Sequence, residues 1–503
     1  MADLRRNPSA LAMKPCNWLL LFGSLFLPHV ANASSGSARV PLEIRFDSLS
    51  SSAGLILTVS TPGDGDGTTT FANTACCGIK SAGHFIQDVR IYAEGHPLDV
   101  TQDLAGWTVR HAPGAPLRAT YRLPPSGPMK IDVGVPEQLR PIVEKHMFHV
   151  ISTFGLLLPT GRLKSAPVAL DVDATRVADD AHFVSSFGSG SRLRDAHVNW
   201  GQVSKSIFLG GAISLTLHDT ATGEVAIAYS GMAPGFSPAG FTEDALAILA
   251  EERGFFKDHQ TWFLVSLHGG IHKDPAINLG GGTGLTNSFA MFSRADLDAN
   301  SWQHREQARL VLAHEYFHNW NGLTLRVNDA SAYWFSEGVT EFYTLRMLAR
   351  SGLMAPERAL KHLNNKLERY AANSKRGVSA KDAGRMFWSD ADGEQIPYLR
   401  GYLSAWMVDG KRGLDEALLA LVARAEAEET FSADNTFLAD YLAKGMSPGD
   451  AESFRRFVLL GGDVPLSTRS FMPCLLGREQ ELSGTKTLQF DFATAGDAAC
   501  FRH

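Results

Sequence analysis

The sequence has few cysteines, no cluster of basic residues and no apolar run long enough to cross a bilayer. None of its 5 cysteines lies at metal-ligand spacing from a histidine, which argues against a cysteine zinc site. The lack of a basic patch argues against nucleic-acid binding, and a net charge of −6 over 503 residues favours solubility without indicating any one partner. A hydrophobic content of 44% beside 20% charged residues is typical of a soluble globular enzyme.

The first 33 residues differ from the rest of the chain. Arg5, Arg6 and Lys14 precede an apolar run at residues 18–27, and small residues at 31–33 offer a cleavage position, a pattern typical of a secretory signal peptide. The apolar run is too short to span a bilayer, which weighs against the alternative of a retained membrane anchor. We therefore expect an exported protein, periplasmic or extracellular. Cleavage would remove three basic residues and one acidic residue, changing the net charge from −6 to −8.

The length predicts two or three domains. Residues 34–205 alternate β-favouring stretches with Gly, Pro, Ser and Asp breaks and predict a β-rich N-terminal domain, the alternative being a loop-rich extension of the enzyme domain. Within them, residues 61–70 predict a mobile loop. Residues 206–430 begin with strands and turn helical after residue 300, which predicts a two-lobed catalytic domain, and residues 431–503 predict a helical extension. The predicted fold class is multidomain α+β.

Four cysteines remain after signal removal, and an even number in an exported chain permits disulfides. Cys474 and Cys500 could close a small C-terminal loop. Cys76 and Cys77 are adjacent in sequence and could bond each other only with strain.

The chain carries a His-Glu-x-x-His pattern at His314, Glu315 and His318, and Glu337 follows after eighteen intervening residues. Residues four apart share one face of a helix, so the two histidines can present imidazole nitrogens to one metal ion. A catalytic zinc takes three protein ligands and leaves a fourth position for water, and Glu337 is the best third donor. The pattern therefore predicts a zinc site with one ion per chain. The alternative is a helix whose histidines have only structural partners.

Two further carboxylates have predicted roles beside the zinc ligands. Glu315 is the expected general base for the zinc-activated water and would then pass the proton to the leaving amine. Glu341 lies one helical turn beyond Glu337, where it could accept the second N–H of a ligating histidine. A solvated or purely structural carboxylate is the alternative for Glu341.

These motifs resemble the glycyl aminopeptidase family of thermolysin-like zinc metallopeptidases. The similar segments are His-Glu-Tyr-Phe-His-Asn-Trp-Asn at 314–321 and Trp-Phe-Ser-Glu-Gly at 334–338. The resemblance implies a β-rich N-terminal domain, a thermolysin-like catalytic domain and commonly a C-terminal PDZ domain. Residues 431–503 are too short and too helical at their start for a complete PDZ domain.

The resemblance also implies roles for residues outside the zinc motif. Tyr398-Leu399-Arg400-Gly401 is similar to the family's Tyr-x-Lys-Gly segment, which implies that Tyr398 stabilises the oxyanion. From the residues alone, Tyr398 would read as a core aromatic at a helix start.

One segment departs from the family pattern. Residues 281–288 align with the family's Gly-Gly-Leu-Glu-His-Arg-Asn-Ser, yet Gly284 replaces the Glu and Leu285 replaces the His. In related aminopeptidases that Glu binds the substrate's free amino terminus. We still expect a strand edge at which Gly281, Gly282 and Asn287 lie along a bound peptide.

The sequence thus predicts a zinc metallopeptidase that hydrolyses peptide bonds and has a peptide as its expected substrate. The family implies an aminopeptidase acting on short peptides with a small N-terminal residue. The change at Gly284 keeps an oligo-endopeptidase as an alternative. A zinc-stabilised binding protein without catalytic activity is the alternative from another class.

Overall fold

The computed structural model describes residues 39–72, 85–126, 140–232, 237–269, 280–293, 302–428, 431–465, 474–482, 484–493 and 501. The expected signal peptide and the pair Cys76 and Cys77 lie outside these residues. Across the described ranges, no helix combines the length and the apolar character needed to cross a membrane.

The N-terminal region consists mainly of strands. They are β1 (Val40–Ser50), β2 (Gly54–Pro62), β3 (Thr68–Ala72), β4 (Gln87–Ala93), β5 (His96–Pro97), β6 (Thr101–Asp103), β7 (Gly106–Arg110), β8 (Pro116–Leu123), β9 (Ile142–Val143), β10 (Met147–Ile151), β11 (Leu158–Pro159), β12 (Pro167–Asp173), β13 (Phe183–Ser185), β14 (Gly188–Ser189), β15 (Arg192–Asn199) and β16 (Ile207–Gly211). Two short helices interrupt them, α1 (Ser152–Gly155) and α2 (Trp200–Ser204).

These strands form three sheets, with the orders β15-β12-β1-β2-β8-β4-β5, β14-β13-β16-β10-β9 and β11-β3-β7-β6. In β1, Leu42, Ile44 and Phe46 are buried and alternate with more exposed residues. This alternation arises because successive side chains of a strand point to opposite faces of the sheet. The buried faces share one apolar core.

A fourth sheet follows the N-terminal strands in sequence. Its strands are β17 (Ser214–Thr220), β18 (Gly223–Ser230), β19 (Trp262–His268), β20 (Gly280–Leu285) and β21 (Ser288–Ser293), in the order β17-β18-β19-β21-β20. The three central strands run parallel, and the edge strands β17 and β20 run antiparallel to their neighbours. Strand β20 is therefore an edge strand.

The central sheet is buried on both faces, as parallel strands usually are. Val225 and Ile227 on one face join the core formed with the helices. Ala226 on the other face packs in a core with Ile207 and Leu209 of β16. The N-terminal strands thus support the sheet from one side, and the helices cover it from the other.

The helices complete the fold. They are α3 (Ala239–Phe256), α4 (Trp302–Phe317), α5 (Thr340–Arg350), α6 (Pro356–Ala372), α7 (Ala380–Met386), α8 (Ala391–Arg412), α9 (Leu414–Ala427), α10 (Asn435–Ala443) and α11 (Pro448–Leu460). Side-chain caps fix several helix starts, including Asp434 for α10 and Ser447 for α11. The predicted multidomain α+β class is confirmed, while the expected domain boundaries remain predictions.

Two details differ from the sequence analysis. The segment 61–70, which was expected to be a loop, is partly strand, because Thr61 and Pro62 end β2 and residues 68–70 belong to β3 and pair with β7. Two short strands, β22 (Arg326–Val327) and β23 (Ser432–Ala433), pair with each other. The C-terminal extension, expected to be helical, also contains a β-hairpin formed by β24 (Leu475–Leu482) and β25 (Thr485–Phe492). Cys474 is disulfide-bonded, and its expected partner Cys500 lies outside the described residues.

Two glycines allow a close helix crossing beside the expected metal site. Gly401 of α8 lies against Gly338 in the π-helical turn Trp334–Val339. A methyl group on Gly401 would overlap the carbonyl oxygen of Trp334, and one on Gly338 would overlap the backbone of Gly401. The two backbones can approach this closely only because neither residue has a side chain.

Substituting Gly401 by alanine is expected to destabilise the protein. The overlap with Trp334 forces the crossing apart, at a cost of about 3 kcal/mol in the free energy of unfolding, which denaturant titration measures. The matched control is Gly254→Ala in α3, where an added Cβ meets nothing within 4 Å. That control should stabilise the protein by about 0.5–1 kcal/mol. Similar stability changes in the two variants would contradict the predicted steric clash.

Candidate active site

Helix α4 ends at the two predicted zinc-binding histidines. His314 lies in its last turn, and His318 immediately precedes a π-helical turn, Asn319–Thr324. Asn321 and Gly322 leave helical geometry there, and Gly322 has a φ of 152°, which favours glycine. A Cβ at Gly322 would also lie 3.3 Å from Nδ1 of His318. The chain therefore turns tightly around the second histidine.

The predicted third ligand comes from a second irregular segment. Glu337 lies in the π-helical turn Trp334–Val339, which continues directly into α5. Such π-helical turns occur frequently at functional sites because they change the direction of side chains within a helix. Helix α5 packs against α4, so Glu337 faces the two histidines.

The three side chains converge. Nε2 of His314 lies 3.1 Å from Nε2 of His318, and Oε2 of Glu337 lies 3.3 Å and 3.4 Å from these two nitrogens. In a tetrahedral zinc site with bonds of about 2.0–2.1 Å, the ligand atoms lie about 3.3 Å apart. Two imidazoles and one carboxylate are also ligand types that zinc prefers. The geometry and the donor set therefore fit zinc.

A backbone contact fixes the ring of His318. Its Nδ1 lies 2.9 Å from the carbonyl oxygen of Asn321, which can only accept a hydrogen bond. The proton of the neutral ring is thus held on Nδ1, and the lone pair of Nε2 faces the site. The side chain of Asn321 also donates to the carbonyl of Phe335 and to Oγ1 of Thr340, at 3.2 Å and 3.1 Å. One asparagine thereby links the two segments that carry the ligands.

Glu341 lies near His314, as predicted, although no hydrogen bond joins them. Its Oε1 is 3.9 Å from Nδ1 of His314, beyond hydrogen-bonding distance. Within the described part of the chain, that buried Nδ1 has no hydrogen-bond partner. Oε2 of Glu341 forms an ion pair with Nζ of Lys366 at 3.0 Å. Lys366 therefore holds the carboxylate beside the histidine.

The electrostatics of the site favour a cation. Burial lowers the pKa of His318, but the adjacent Glu337 carboxylate outweighs burial and raises the pKa to about 9. Burial raises the pKa of Glu337, but the two histidines outweigh burial and hold the pKa of this carboxyl well below its usual range. Without a metal ion, the imidazole of His318 therefore holds a proton beside the ionised carboxylate of Glu337. A metal ion must displace that proton, so its apparent affinity falls as the pH drops below about 9.

Glu315, the predicted base, points from α4 towards strand β20. Its Oε2 accepts a hydrogen bond of 3.2 Å from the backbone N–H of Gly284. Burial raises the pKa of Glu315, and the two histidines partly offset this effect. One carboxylate oxygen is anchored to the strand, which leaves the other oxygen to exchange a proton.

Gly284 lies too close to α4 to carry a side chain without displacement of the chain. A Cβ there would lie 2.8 Å from the carbonyl oxygen of Glu315 and 3.2 Å from Cβ of His318. Gly282, on the same face of β20, would place a Cβ 3.0 Å from Cγ of Glu315. Position 284, where similar sequences have glutamate, is thus a glycine at a point where the edge strand β20 packs closely on α4.

Tyr398 lies on α8 beside the metal ligands. Its ring centroid is 5.9 Å from that of His314, and it stacks on Phe387 at 5.9 Å. Burial, followed by the charges of Glu337 and Glu315, raises its pKa well above the usual value. The phenol therefore keeps its proton and can act as a hydrogen-bond donor.

The predicted peptide-binding residues occupy one hairpin. Gly281 and Gly282 pair with Phe292 and Met291 in the β20–β21 ladder, and Asn287 follows in the turn with a φ of 46°. Their role along a bound peptide stays a prediction. The roles of Asn321 and Lys366 were not predicted from the sequence. Asn321 lies within the matching His-Asn-Trp-Asn segment, whereas Lys366 is distant in sequence and only the packing of α6 brings it to Glu341.

Comparison with known proteins supports the resemblance. Residues 307–396 match the family described as M61 glycyl aminopeptidase, which confirms the predicted resemblance over the segment that carries His314, Glu315, His318, Glu337 and Glu341. Tyr398 lies two residues beyond the matched segment. No curated protein matches the sequence.

Solved structures share the fold. An aminopeptidase N family protein from Idiomarina loihiensis aligns with a TM-score of 0.67 at 17% identity, covering 88% of this chain and 79% of that chain. An M1 zinc metallopeptidase from Deinococcus radiodurans, a glutamate-to-alanine mutant bound to a Tyr-Ser-Ala substrate, aligns with a TM-score of 0.55 at 17% identity, covering 86% of this chain and 96% of that chain. At these identities the likeness establishes the fold alone.

Zinc content tests the predicted ligand set. The purified wild-type protein should retain one zinc ion per chain after dialysis, and His318→Ala should retain almost none, because it removes one of three ligands. His96→Ala is the matched control, since His96 is exposed on β5. Elemental analysis measures the metal. Full zinc occupancy in His318→Ala would contradict the assignment.

Proposed function

We propose that this chain is a zinc metallopeptidase that hydrolyses peptide bonds. The observation that carries the proposal is the convergence of His314, His318 and Glu337 within 3.1–3.4 Å beside the carboxylate of Glu315. The match of residues 307–396 to a peptidase family and the fold shared with M1 zinc metallopeptidases support it.

Glu315 is assigned the proton transfers. When bound, zinc supplies a Lewis acid that lowers the pKa of water and polarises the scissile carbonyl. Glu315 accepts the proton of the attacking water at the carboxylate oxygen that Gly284 does not hold, and donates it to the leaving amine. Its raised pKa suits a group that must both accept and release a proton.

Tyr398 is assigned the stabilisation of the oxyanion. Its phenol is protonated and lies against the ring of His314. A donor fixed beside the reacting carbonyl stabilises charge that develops only in the transition state. The close crossing of Gly338 and Gly401 holds Tyr398, one helical turn before Gly401, near Glu337.

Two modes of cleavage are consistent with the site. The family match favours an aminopeptidase acting on short peptides with small N-terminal residues. The geometry at Gly284 favours an oligo-endopeptidase, because strand β20 has neither a carboxylate for a free amino terminus nor room for one. A binding protein without catalytic activity is less well supported, since Glu315 and Tyr398 are both in place.

We also propose that the protein is exported after cleavage near residue 33. The signal-like pattern of the first 33 residues and the disulfide at Cys474 support export, because disulfides persist in oxidising compartments.

Glu315→Gln should retain zinc and lose at least about 10³-fold in kcat, because the amide cannot accept the proton. Hydrolysis of a fluorogenic peptide library and elemental analysis provide the two measurements. Glu368→Gln, at an exposed position of α6, is the matched control and should keep full activity. Unchanged turnover in Glu315→Gln would contradict the assigned base.

Paired peptides with free and acetylated amino termini distinguish the two cleavage modes. Because Gly284 offers no carboxylate to a free amino terminus, we expect kcat/KM to differ less than about fivefold within each pair. An enzyme that bound the amino terminus through a charged hydrogen bond would lose about 1.5–3 kcal/mol on acetylation, which is more than tenfold in kcat/KM. Mass spectrometry of the products identifies the cleaved bond. Cleavage restricted to free amino termini would instead establish an aminopeptidase.

A further inference from the structure

A second polar feature of the catalytic region lies outside the metal site. It is a pocket of about 240 Å³, here called the cationic pocket, lined by Lys164, Lys205 and Arg326 together with side chains such as Thr286 and Asn319. This volume is below the roughly 300–1,000 Å³ typical of pockets that enclose a whole small ligand. It suits one side chain or one chain terminus.

The pocket carries an excess of positive charge. Lys164, Lys205 and Arg326 come from separate parts of the chain, and Glu426 is the only carboxylate among the described residues that line the pocket. In the described part of the chain, no carboxylate forms an ion pair with any of the three cations. Three cations beside a single carboxylate leave an excess of like charges, which repel one another and favour an anionic ligand.

Lys205 and Arg326 are partly buried, whereas Lys164 is exposed, and burial affects the charge of Lys205. Burial, together with the charges of Lys164 and Arg326, lowers the pKa of Lys205 to about 8. A bound carboxylate would offset both effects, because an opposite charge favours the protonated amine. Arg326 is held in place by a hydrogen bond from its Nε to the carbonyl of Leu323 at 3.1 Å.

The walls of the pocket belong to segments that also shape the active site. Thr286 lies in the turn after β20, and its backbone N–H donates to the carbonyl of Lys205 at 2.8 Å. Asn319 and Leu323 belong to the turn after His318, and the N–H of Leu323 donates to the carbonyl of His318 at 2.9 Å. The pocket thus lies between the end of the edge strand and the turn that orients a zinc ligand.

The charge of the pocket is opposite to that of an amine-binding site. A free amino terminus would meet three cations there, whereas a carboxylate could accept hydrogen bonds from two ammonium groups and one guanidinium. The positive charge of the pocket and the lack of a carboxylate at Gly284 both disfavour binding of a free amino terminus.

We propose that the cationic pocket is a substrate subsite that binds a carboxylate group of the peptide, either an acidic side chain or a free carboxyl terminus. The inference rests on the proposed peptidase function and specifies the substrate class. Lys205 and Arg326 are the principal contacts, and Lys164 adds charge at the rim, where it is exposed.

Matched peptide pairs test the subsite. One series replaces Glu by Gln at successive positions, and a second compares a free carboxyl terminus with an amide. In the wild-type enzyme, kcat/KM should be at least about tenfold higher for the carboxylate member of one series, mainly through KM. The series that shows the preference identifies the source of the carboxylate.

Variants then connect the preference to the pocket. Lys205→Met should reduce the carboxylate-to-amide ratio to below about threefold, and Lys164→Met should reduce it less. Lys205→Glu should invert it in favour of a lysine-bearing peptide. Lys486→Met, at an exposed position of β25, makes the same change in net charge and should leave the ratio unchanged.

The outcomes separate this inference from the proposed function. If neutral peptides are cleaved but the ratio is close to one, or is unaffected by Lys205→Met and Lys164→Met, the subsite is wrong and the peptidase stands. Binding of the same pairs to zinc-loaded Glu315→Gln supplies a readout without turnover and should show the same preference. If no peptide is bound or cleaved, both the peptidase function and the subsite are wrong.

Discussion

The structure depends on holding two imidazole nitrogens and one carboxylate oxygen within 3.1–3.4 Å of one another. Polar atoms at this separation, partly removed from water, need a shared proton or a shared cation between them. The surrounding structure meets this need: Asn321 fixes His318, Lys366 holds Glu341 beside His314, and two π-helical turns direct the side chains inward. Asn321 and the two turns thereby determine where the ligand atoms lie.

Close backbone approach is the second physical requirement. Gly338 and Gly401 bring α8 against the turn that carries Glu337, and Gly284 brings β20 against the helix that carries Glu315. In both places a side chain would occupy the space that the contact needs. The first contact positions the phenol of Tyr398, and the second gives Glu315 a backbone hydrogen-bond donor. Glycines with no catalytic atoms therefore determine where the reacting groups lie.

Local patterns in the sequence were sufficient for much of this arrangement. The chain is mostly helical after residue 300, as predicted, and the His-Glu-x-x-His spacing with Glu337 identified the three converging side chains. The π-helical turns were not predictable, because their geometry is set by packing against neighbouring segments. Lys366 and the cationic pocket were missed for a related reason. Their partners are distant in sequence, and neither hydrophobic period nor motif spacing records such contacts.

The substitution at Gly284 and the cationic pocket have a common electrostatic consequence. A carboxylate at position 284 would stand beside Glu315 and would need a bound amine to offset the repulsion. Glycine removes that charge, and the same hairpin continues at Thr286 into a wall that carries Lys205. The site thereby loses a group that would attract an amino terminus, and the cationic pocket attracts a carboxylate of the peptide instead. Because Coulomb interactions strengthen where water is partly excluded, this change of sign should affect the choice of peptide more than any apolar contact of similar size.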